Sequence, residues 1–378
     1  MVAGIAILGS TGSIGRSALA VVARHPERFR VVALAAHQRV IELEAQVAEF
    51  QPAIAVLADA ERVHPGGGRV RGGREALLEA ATHPDVDIVI NAMVGAAGLE
   101  ATLAALGAGK RLALANKESL VAGGPMVLAA LRRGGGELVP IDSEHSAILQ
   151  CLSAANGAAV RRLILTASGG PFRGRSAAAL AQVTPAEALR HPTWAMGAKI
   201  SIDSATLANK ALEVIEGHFL FGVPYACIEV VVHPQSIIHS MVELVDGSVL
   251  AQLGFPTMEL PILYALTHPE RIADGGTRSF DPVGAAALTF EPVDHDCFPA
   301  FGLGVEAGRV GGTAPAVYNA ANEVAVAGFL QGRIPFPGIP QLIERVLHAH
   351  TPVPATTLAD VLEADRWARE LATRFLGA

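Results

Sequence analysis

A short glycine-rich segment near the start of the chain constrains the fold more than any other feature. Gly9, Gly12 and Gly15 recur at a spacing of three directly after the apolar run at residues 5–8. This arrangement is typical of a strand that turns sharply into a helix, with backbone amides offered to an anion at the helix N-terminus. Three glycines can also serve only to let a helix pack closely on a strand. The motif favours nucleotide binding over that alternative.

Strand-like runs alternate with helical patterns over the first third of the chain. A helix is predicted over about residues 13–23, and the further apolar runs are those at 31–36, 54–57, 88–92 and 111–114. This alternation predicts a parallel sheet with helices on both faces. The fold class predicted for residues 1–141 is therefore α/β, a Rossmann-like domain that binds a dinucleotide.

The pattern changes near residue 140, where strands and helices no longer alternate regularly. Residues 142–267 are predicted to form a second domain of the α+β class, with a helix over about residues 205–221. Residues 268–296, rich in proline and glycine, are predicted to be a linker, and residues 297–378 a small helical domain. Residues 64–68 are predicted to form a surface turn.

Composition and charge exclude several classes of protein. The chain has 378 residues and a formal net charge of -7, which gives no general attraction to nucleic acid. It has no run of about 18 uncharged apolar residues, so we expect no membrane span. No basic segment precedes the first apolar run, which favours a cytoplasmic protein over a secreted one. The cysteines, Cys151, Cys227 and Cys297, are odd in number and form no CxxC pair, which indicates reduced thiols and neither disulfides nor a zinc-thiolate site.

The end of the second predicted strand indicates which dinucleotide is bound. An NAD site usually has an acidic residue there for the ribose 2′-hydroxyl. This chain has Ala36, His37, Gln38 and Arg39 instead, and no carboxylate before Glu42. The basic side chains suit a 2′-phosphate, so NADP is favoured. His37 could equally be a solvated surface residue.

Two carboxylates flank Ser143. If Asp142 and Glu144 continued a strand, both would point to one face, where like charges repel unless a cation lies between them. Taken alone, these residues are more typical of a solvated turn.

A second polar group lies on the helix predicted over residues 205–221. Asn209, Lys210 and Glu213 share one helical face, and a surface ion pair is the simplest interpretation. Carboxylates are, however, the hard oxygen ligands that Mg²⁺ and Mn²⁺ require, and an amide, an ammonium and hydroxyls suit a phosphate. Spacing alone does not show that the two segments meet.

Long motifs spread over nearly the whole chain resemble those of one enzyme family. They are LGSTGSIG at 8–15, ALANKESLVAGG at 113–124, IDSEHSAILQCL at 141–152, LTASGGPFRG at 165–174, HPTWAMGAKISIDSATLANKALEVIEGHFLFG at 191–222 and VVHPQSIIHS at 231–240. The chain closely resembles the 1-deoxy-D-xylulose 5-phosphate reductoisomerases, NADPH-dependent enzymes of the non-mevalonate isoprenoid pathway. The resemblance implies a V-shaped homodimer, with a cofactor domain, a central catalytic and dimerisation domain, and a C-terminal helical domain. It also implies a mobile lid at about residues 168–197.

The resemblance assigns roles to individual residues. It implies that Asp142, Glu144 and Glu213 bind the metal ion, Mg²⁺ or Mn²⁺ with Co²⁺ as a further candidate. The implied catalytic residues are these three with Lys117 and His191. The implied substrate contacts are Lys117, Ser143, Glu144, Ser168, His191, Trp194, Met196, Ser204, Asn209, Lys210 and Glu213. Of these, the phosphate would be held by Ser168, Ser204, Asn209 and Lys210.

The implied cofactor contacts lie in four segments of the chain. They are Thr11, Gly12, Ser13, Ile14, Ala36, His37, Gln38, Asn116, Glu118 and Gly197. The family often has Gly-Lys-Asn or Gly-Arg-Asn where this chain has Ala36-His37-Gln38. Because His37 takes the place of a permanent cation, we expect the preference for NADPH over NADH to weaken as the pH rises.

The implied reaction has two stages and a small phosphorylated sugar as its substrate. A divalent ion stabilises oxyanions while the carbon skeleton rearranges by retro-aldol cleavage and re-addition to give an aldehyde. NADPH then reduces this aldehyde to 2-C-methyl-D-erythritol 4-phosphate. No nucleic acid or membrane partner is expected.

Two other functions compete with this interpretation. A semialdehyde dehydrogenase would pair similar domains but needs a nucleophilic cysteine, and Cys151 lies in an apolar helical pattern that indicates a core position. An NADP-sensing protein without enzymatic activity would not need Asp142, Glu144 and Glu213 together. Metal titration would therefore separate it from an enzyme.

Overall fold

The computed structural model of the chain describes nearly all of its residues. They are residues 2–62, 70–155, 159–194, 196–285 and 287–377. The surface turn predicted at residues 64–68 lies outside them. By their internal contacts the residues divide into two compact units. The first consists of Met1–Ser119, Met126–Ser146 and Thr257–Arg278, and the second of Leu120–Pro125, Ala147–Pro256 and Ser279–Ala378.

The helices of the described residues follow the strands in both units. They are α1 Ser13–Arg24, α2 Val40–Phe50, α3 Gly73–Thr82, α4 Ala97–Gly107, α5 Lys117–Gly134, α6 Ser143–Ala154, α7 Ala177–Leu180, α8 Pro185–Ala188, α9 Ala198–Ala205, α10 Ala208–Phe221, α11 Glu259–Thr267, α12 Pro299–Val310, α13 Ala314–Leu330, α14 Gly338–His348 and α15 Leu358–Gly377. Among the residues described, no helix combines the length and the apolar character needed to cross a membrane.

The first unit is built on a parallel sheet. Its strands are β1 Ala3–Leu8, β2 Phe29–Ala36, β3 Ile54–Leu57, β4 Val70–Gly72, β5 Ile88–Asn91, β6 Arg111–Leu114 and β7 Glu137–Pro140, in the spatial order β4-β3-β2-β1-β5-β6-β7. The order reverses at β1, where Ile5 pairs with Val31 of β2 on one side and Ile88 of β5 on the other. Ligands of such sheets bind beyond the carboxyl ends of the strands at this switch point. The predicted α/β fold is confirmed, and the glycine turn follows β1 at that point.

The second unit contains a mixed sheet. Its strands are β8 Val160–Ala167, β9 Ile228–Val232, β10 Ile238–Leu244, β11 Val249–Leu253 and β12 Glu291–Pro292, in the order β11-β10-β8-β9-β12. Strands β8 and β9 are parallel, and the other pairs are antiparallel. This agrees with the α+β class predicted for the second domain.

The helices of the C-terminal region share the core of the second unit. Phe329 of α13 and Phe172 both pack against Phe336, with ring centroids 5.7 and 5.0 Å apart and the rings nearly perpendicular. All three side chains are buried. Truncating one such phenylalanine to alanine typically costs about 3–5 kcal/mol of folding free energy. This aromatic cluster therefore joins the helical region to the segment that follows β8.

The observed starts of one helix and one strand differ from the predicted ones. The helix predicted over about residues 205–221 is α10, which begins three residues later, at Ala208, and follows α9, which ends at Ala205. Leu207 between them adopts φ 60°, and the Thr206 hydroxyl oxygen accepts a bond of 3.3 Å from the Ala208 amide. The sequence predicts a strand over residues 236–242, but β10 begins at Ile238 because Ser236 has φ 51° and breaks the extended chain.

A distant part of the chain packs into the first unit. Arg24 at the end of α1 forms ion pairs with Asp274 at 2.8 Å and with Glu259 at 2.7 Å. This ion pair holds the pKa of Asp274 down to about 2. Residues 257–278 thus belong to the first unit, while the division into three domains with a linker over residues 268–296 stays a prediction.

Candidate active site

The three glycines of the turn after β1 have different tasks. Gly9 has φ 90°, and a Cβ atom there would lie 2.5 Å from the Ala92 carbonyl oxygen. At Gly15 a Cβ atom would lie 2.3 Å from the carbonyl oxygen of Gly9, so both positions need glycine for close packing. Gly12 is the N-cap of α1 and receives no side-chain cap. The start of α1 therefore has no side-chain cap, and the binding of an anion there stays a prediction.

Two arginines converge on this turn. The Nη1 atoms of Arg16 and Arg39 each donate to the Thr11 carbonyl oxygen at 3.2 Å. Both side chains are exposed, and neither guanidinium forms an ion pair with another residue of the described chain. Arg16 was missed by the sequence analysis, although an arginine one residue after the third glycine of the motif was a usable signal. The pair gives this end of the sheet a local positive charge in a protein of net negative charge.

The other cofactor residues predicted nearby differ in exposure. Ala36 is buried at the end of β2, while His37 and Gln38 are exposed. In the glycine turn, Thr11 is buried, Ser13 is exposed and Ile14 is half-buried. The end of β2 thus has no side-chain carboxylate, as NADP binding requires.

Asn116 organises the loop after β5. Its Nδ2 group donates to the carbonyl oxygens of Met93 and Gly95, at 3.0 Å each, and to the Glu118 carboxylate at 2.8 Å. Its Oδ1 atom accepts a bond of 3.2 Å from the Ser119 amide and caps α5. Asn116 and Glu118, both buried, therefore fix the loop next to the switch point.

Lys117 and Asp142 form a buried ion pair. The Lys117 ammonium contacts the Asp142 carboxylate directly, and both side chains are about nine-tenths buried. The other carboxylate oxygen of Asp142 accepts the Glu144 amide at 3.3 Å, so Asp142 also caps the start of α6. The Ser143 hydroxyl donates to the Glu144 carboxylate at 2.5 Å. Asp142 and Glu144 therefore lie at a helix N-terminus, and the solvated turn considered above does not occur.

Glu213 is fixed by two residues of its own helix. Its Oε1 atom accepts a bond of 2.6 Å from the Asn209 amide, and its Oε2 atom lies 2.5 Å from the Lys210 ammonium nitrogen. The Glu213 side chain is 1% exposed. The three residues share one face of α10 as predicted, but the face is buried, which excludes a surface ion pair.

Three acidic side chains of the predicted site can offer ligands to one cation. Asp142, Glu144 and Glu213 can each present a carboxylate oxygen within 4.8 Å of the other two. Oxygen donors of this kind match the ligands that Mg²⁺ and Mn²⁺ prefer. The donor set fits a hard divalent ion.

The hydrogen bonds of His191 define its tautomer. Its Nδ1 atom accepts backbone amide bonds from Thr193 at 3.1 Å and Trp194 at 2.9 Å. The proton of the neutral ring must then be on Nε2, which lies 3.0 Å from the Ser168 hydroxyl oxygen and donates to it. Burial lowers the pKa of His191. The imidazole is therefore a neutral donor at neutral pH.

Ser168 and Ser204 lie on adjoining backbone segments. The Ser168 hydroxyl oxygen accepts the Gly170 amide at 3.1 Å as well as the His191 ring. Gly170 has φ 66°, and a Cβ atom there would lie 2.6 Å from the Ser204 carbonyl oxygen. Only glycine permits this approach, which brings the two serine segments together.

The remaining predicted residues lie just before α9. Trp194 and Met196 are half-buried, and Gly197 is the exposed N-cap of α9.

Cys151 is buried on α6, and all three cysteines are free thiols. A buried cysteine in a helix lacks the access that a semialdehyde dehydrogenase nucleophile needs.

Three family models match most of the chain, and all three describe the same enzyme family. Residues 5–124 match the 1-deoxy-D-xylulose 5-phosphate reductoisomerase model, residues 138–221 its C-terminal domain model, and residues 253–371 the DXP reductoisomerase C-terminal domain model.

Named relatives agree with these matches. The 1-deoxy-D-xylulose 5-phosphate reductoisomerase of Symbiobacterium thermophilum is 55% identical, covering 98% of this chain and 97% of its own. The enzyme of the same name from Thermosynechococcus vestitus is 52% identical, covering 97% of this chain and 92% of its own.

Solved structures of the same name have the same fold. The Zymomonas mobilis reductoisomerase in complex with NADPH is 43% identical, with a TM-score of 0.91 over 100% of this chain and 99% of its own. A DOX-P reductoisomerase in complex with NADPH, fosmidomycin and magnesium is 40% identical, with a TM-score of 0.92 over 100% of this chain and 98% of its own. From its glycine turn to its C-terminal helices, this chain belongs to the 1-deoxy-D-xylulose 5-phosphate reductoisomerase family.

Proposed function

We propose that this protein converts 1-deoxy-D-xylulose 5-phosphate and NADPH into 2-C-methyl-D-erythritol 4-phosphate and NADP⁺, with a divalent metal ion, in the non-mevalonate isoprenoid pathway. The observation that carries the proposal is the acidic group of Asp142, Glu144 and Glu213, in which Glu144 is half-buried and the other two are buried, in a chain that matches a family member over 98% of its length. An NADP-sensing protein has no need of this group.

The acidic group is the proposed metal site. Mg²⁺ is the first candidate because solved family structures contain magnesium, and Mn²⁺ and Co²⁺ suit the same oxygen donors. When bound, the ion supplies Lewis-acid stabilisation to oxyanions of the rearranging sugar. Lys117 orients the Asp142 carboxylate, Ser143 donates to that of Glu144, and Asn209 and Lys210 orient that of Glu213. The protein thus holds each of the three ligands by donors of its own.

The proposed phosphate pocket consists of Ser168, Ser204, Asn209 and Lys210. Both lone pairs of the Ser168 hydroxyl accept bonds, from Gly170 and from His191, so its O–H group is directed to a further acceptor. Lys210 adds positive charge and Asn209 an amide. We propose that His191 orients Ser168 as a neutral donor, and that Ser143, Trp194 and Met196 contact the rest of the substrate.

The turn after β1 is the proposed site of NADPH. The amides of Ser13 and Ile14, in the first turn of α1, suit its pyrophosphate, while the Gly12 amide donates to the Gly9 carbonyl oxygen at 3.0 Å. NADPH, when bound, supplies the hydride that reduces the aldehyde. Arg16 and Arg39 are the proposed partners of the 2′-phosphate. Their guanidinium groups carry a permanent charge, which would take over the role of the lysine or arginine that the family often has at the position of His37.

The proposed lid is shorter than the segment considered from the sequence. Phe172, Leu180, Val183 and Ala188 are all buried in the core of the second unit, so most of residues 168–188 is anchored. The described residues of the stretch that follows, 189–194, 196 and 197, are all exposed or half-buried. We propose that this shorter segment, which includes Trp194, closes over the substrate and excludes water.

A homodimer is proposed from the free edge of the second sheet. Strand β11 pairs with β10 alone among the described strands, and its sequence VLAQL has no charge to discourage further pairing. Val249 and Leu253 on it are 50% and 38% exposed.

We expect V249K to convert a dimer into a monomer in sedimentation velocity, whereas V283K, at a 92% exposed valine outside the strand, leaves the dimer intact. A dimer that survives V249K and the further change L253K refutes this interface.

A cytoplasmic location is part of the proposal, supported by the three free thiols.

Product analysis tests the proposed reaction. With NADPH carrying deuterium at the transferable position, the product isolated from 1-deoxy-D-xylulose 5-phosphate should have the mass of 2-C-methyl-D-erythritol 4-phosphate plus one deuterium. A product without deuterium, or unchanged substrate, would refute the proposal.

A further inference from the structure

An acidic side chain is buried one residue before Ser204 of the proposed phosphate pocket. Asp203 of α9 is 1% exposed, and each of its carboxylate oxygens has its own partner. Its Oδ1 atom accepts a bond of 2.8 Å from the Asn322 amide, and its Oδ2 atom lies 2.6 Å from the Lys199 ammonium nitrogen. Burying a carboxylate is costly unless it is paired in this way. The two partners therefore determine where Asp203 can lie.

Asp203 directly precedes the residues proposed to bind phosphate. Ser204 is the next residue, and α9 ends one residue later. The chain then turns through Leu207, which is buried at φ 60°, before Asn209 and Lys210 begin α10. A residue other than glycine keeps a positive φ only where the packing around it stabilises that conformation. The position of α9 thus sets the position of every phosphate donor in the turn.

The main anchor of Asp203 comes from a helix far along the chain. Asn322 lies on α13 and is fully buried. Tyr318, one turn earlier on α13, donates its hydroxyl to the Ala300 carbonyl oxygen at 2.9 Å. Burial, and secondarily the negative charge of Asp203, raise the pKa of Tyr318 well above its usual value. The Tyr318 bond therefore fixes α13 on α12. The Asn322 amide, which donates to Asp203, is held in place with the helix.

We propose that Asp203, held by Asn322 and Lys199, is a positioning residue that fixes the phosphate-binding turn at residues 204–210. Helix α13 then determines affinity for the substrate's phosphate without touching the substrate. This inference rests on the proposed function. Asp203 acts through Ser204, Asn209 and Lys210, so its loss should weaken phosphate binding and leave NADPH binding unchanged.

The test compares two substrates in N322L and D203N. With 1-deoxy-D-xylulose 5-phosphate we expect KM to rise about tenfold or more, because small misplacement of binding groups has large effects, while kcat falls less. With 1-deoxy-D-xylulose, which has no phosphate, kcat/KM should change by less than about threefold. The selectivity for the phosphorylated sugar therefore falls, which a general loss of folded protein does not produce. The Kd for NADPH, measured by its fluorescence, should equal that of the wild type.

N319L is the matched control. Asn319 is buried one turn from Asn322 on α13, but its amide donates to Glu323 of the same helix at 2.9 Å. Its replacement should leave the substrate selectivity unchanged. If N322L does not fold, K199Q offers a milder change, since the Lys199 side chain is 22% exposed. Equal losses with both sugars, or the same selectivity change in N319L, would overturn the inference. An inactive wild-type protein would instead refute the proposed function.

Discussion

The Nε2 atom of His191 lies 3.0 Å from the Ser168 hydroxyl oxygen, and two backbone amides occupy its Nδ1 atom. Protonation of the ring would place a hydrogen on Nδ1 and break both amide bonds. Because burial also lowers the pKa of His191, the native protein binds this proton less readily than the unfolded chain. The contribution of His191 to stability is therefore complete above about pH 6.5, the ordinary histidine value, and is lost as the pH falls from there to the lowered native pKa.

We predict that the His191 ring titrates below pH 6.5. NMR of protein labelled with ¹³C-histidine measures this, with H191Q identifying the resonance. Titration at or above pH 6.5 would contradict the assigned tautomer.

Replacing Glu213 by glutamine should abolish metal-dependent turnover. Loss of groups that only support metal ligands costs about 10–100-fold, so loss of a direct anionic ligand should lower kcat/KM by at least about 100-fold. NADPH binding should stay nearly intact. E216Q, at a buried glutamate of the same helix, is the control and should retain more activity. Wild-type activity of E213Q at ordinary Mg²⁺ concentrations would remove Glu213 from the metal site.

Cofactor choice should depend on Arg39 and Arg16. Each of R39Q and R16Q should raise the Kd for NADPH by about tenfold, since charge-assisted hydrogen bonds contribute about 1.5–3 kcal/mol. The Kd for NADH should hardly change. R30Q, which removes a half-exposed arginine from β2, controls for the change in net charge. If both affinities fall equally, the arginines do not read the 2′-phosphate. The two guanidiniums should also make the NADPH preference depend less on pH than His37 alone would.

Trp194 should report closure of the proposed lid. The chain has two tryptophans, so in W367F the emission comes from Trp194 alone. Adding a phosphonate substrate analogue with Mn²⁺ and NADPH should shift this emission and slow proteolysis of residues 189–197. Unchanged emission and cleavage with the analogue shown to bind would mean that no lid closes.

Local features of the fold were predictable because they depend on neighbouring residues. The predicted strand over residues 111–114 matches β6, and the glycine spacing located the turn after β1. The break at Leu207 was not predictable, because φ 60° at a leucine is stabilised by its buried surroundings rather than by its own preference.

The parts of the site that depend on contacts between distant residues could not be predicted from the sequence. The family resemblance implied the roles of Asp142, Glu144 and Glu213, but the proximity of their carboxylates depends on tertiary structure. The anchoring of Asp203 by Asn322 joins residues 119 positions apart, and no local pattern indicates it. Arg16 directly follows the glycine motif, yet its contact with Thr11 becomes evident only when α1 follows the turn.

The metal dependence of the proposed reaction is measured by following the substrate-dependent oxidation of NADPH by absorbance, after removal of metal and again after adding Mg²⁺ or Mn²⁺. We expect no oxidation with 1-deoxy-D-xylulose 5-phosphate in the metal-free protein and its return on adding either ion. An absence of substrate-dependent oxidation in both conditions, or an equal rate without metal, would contradict it.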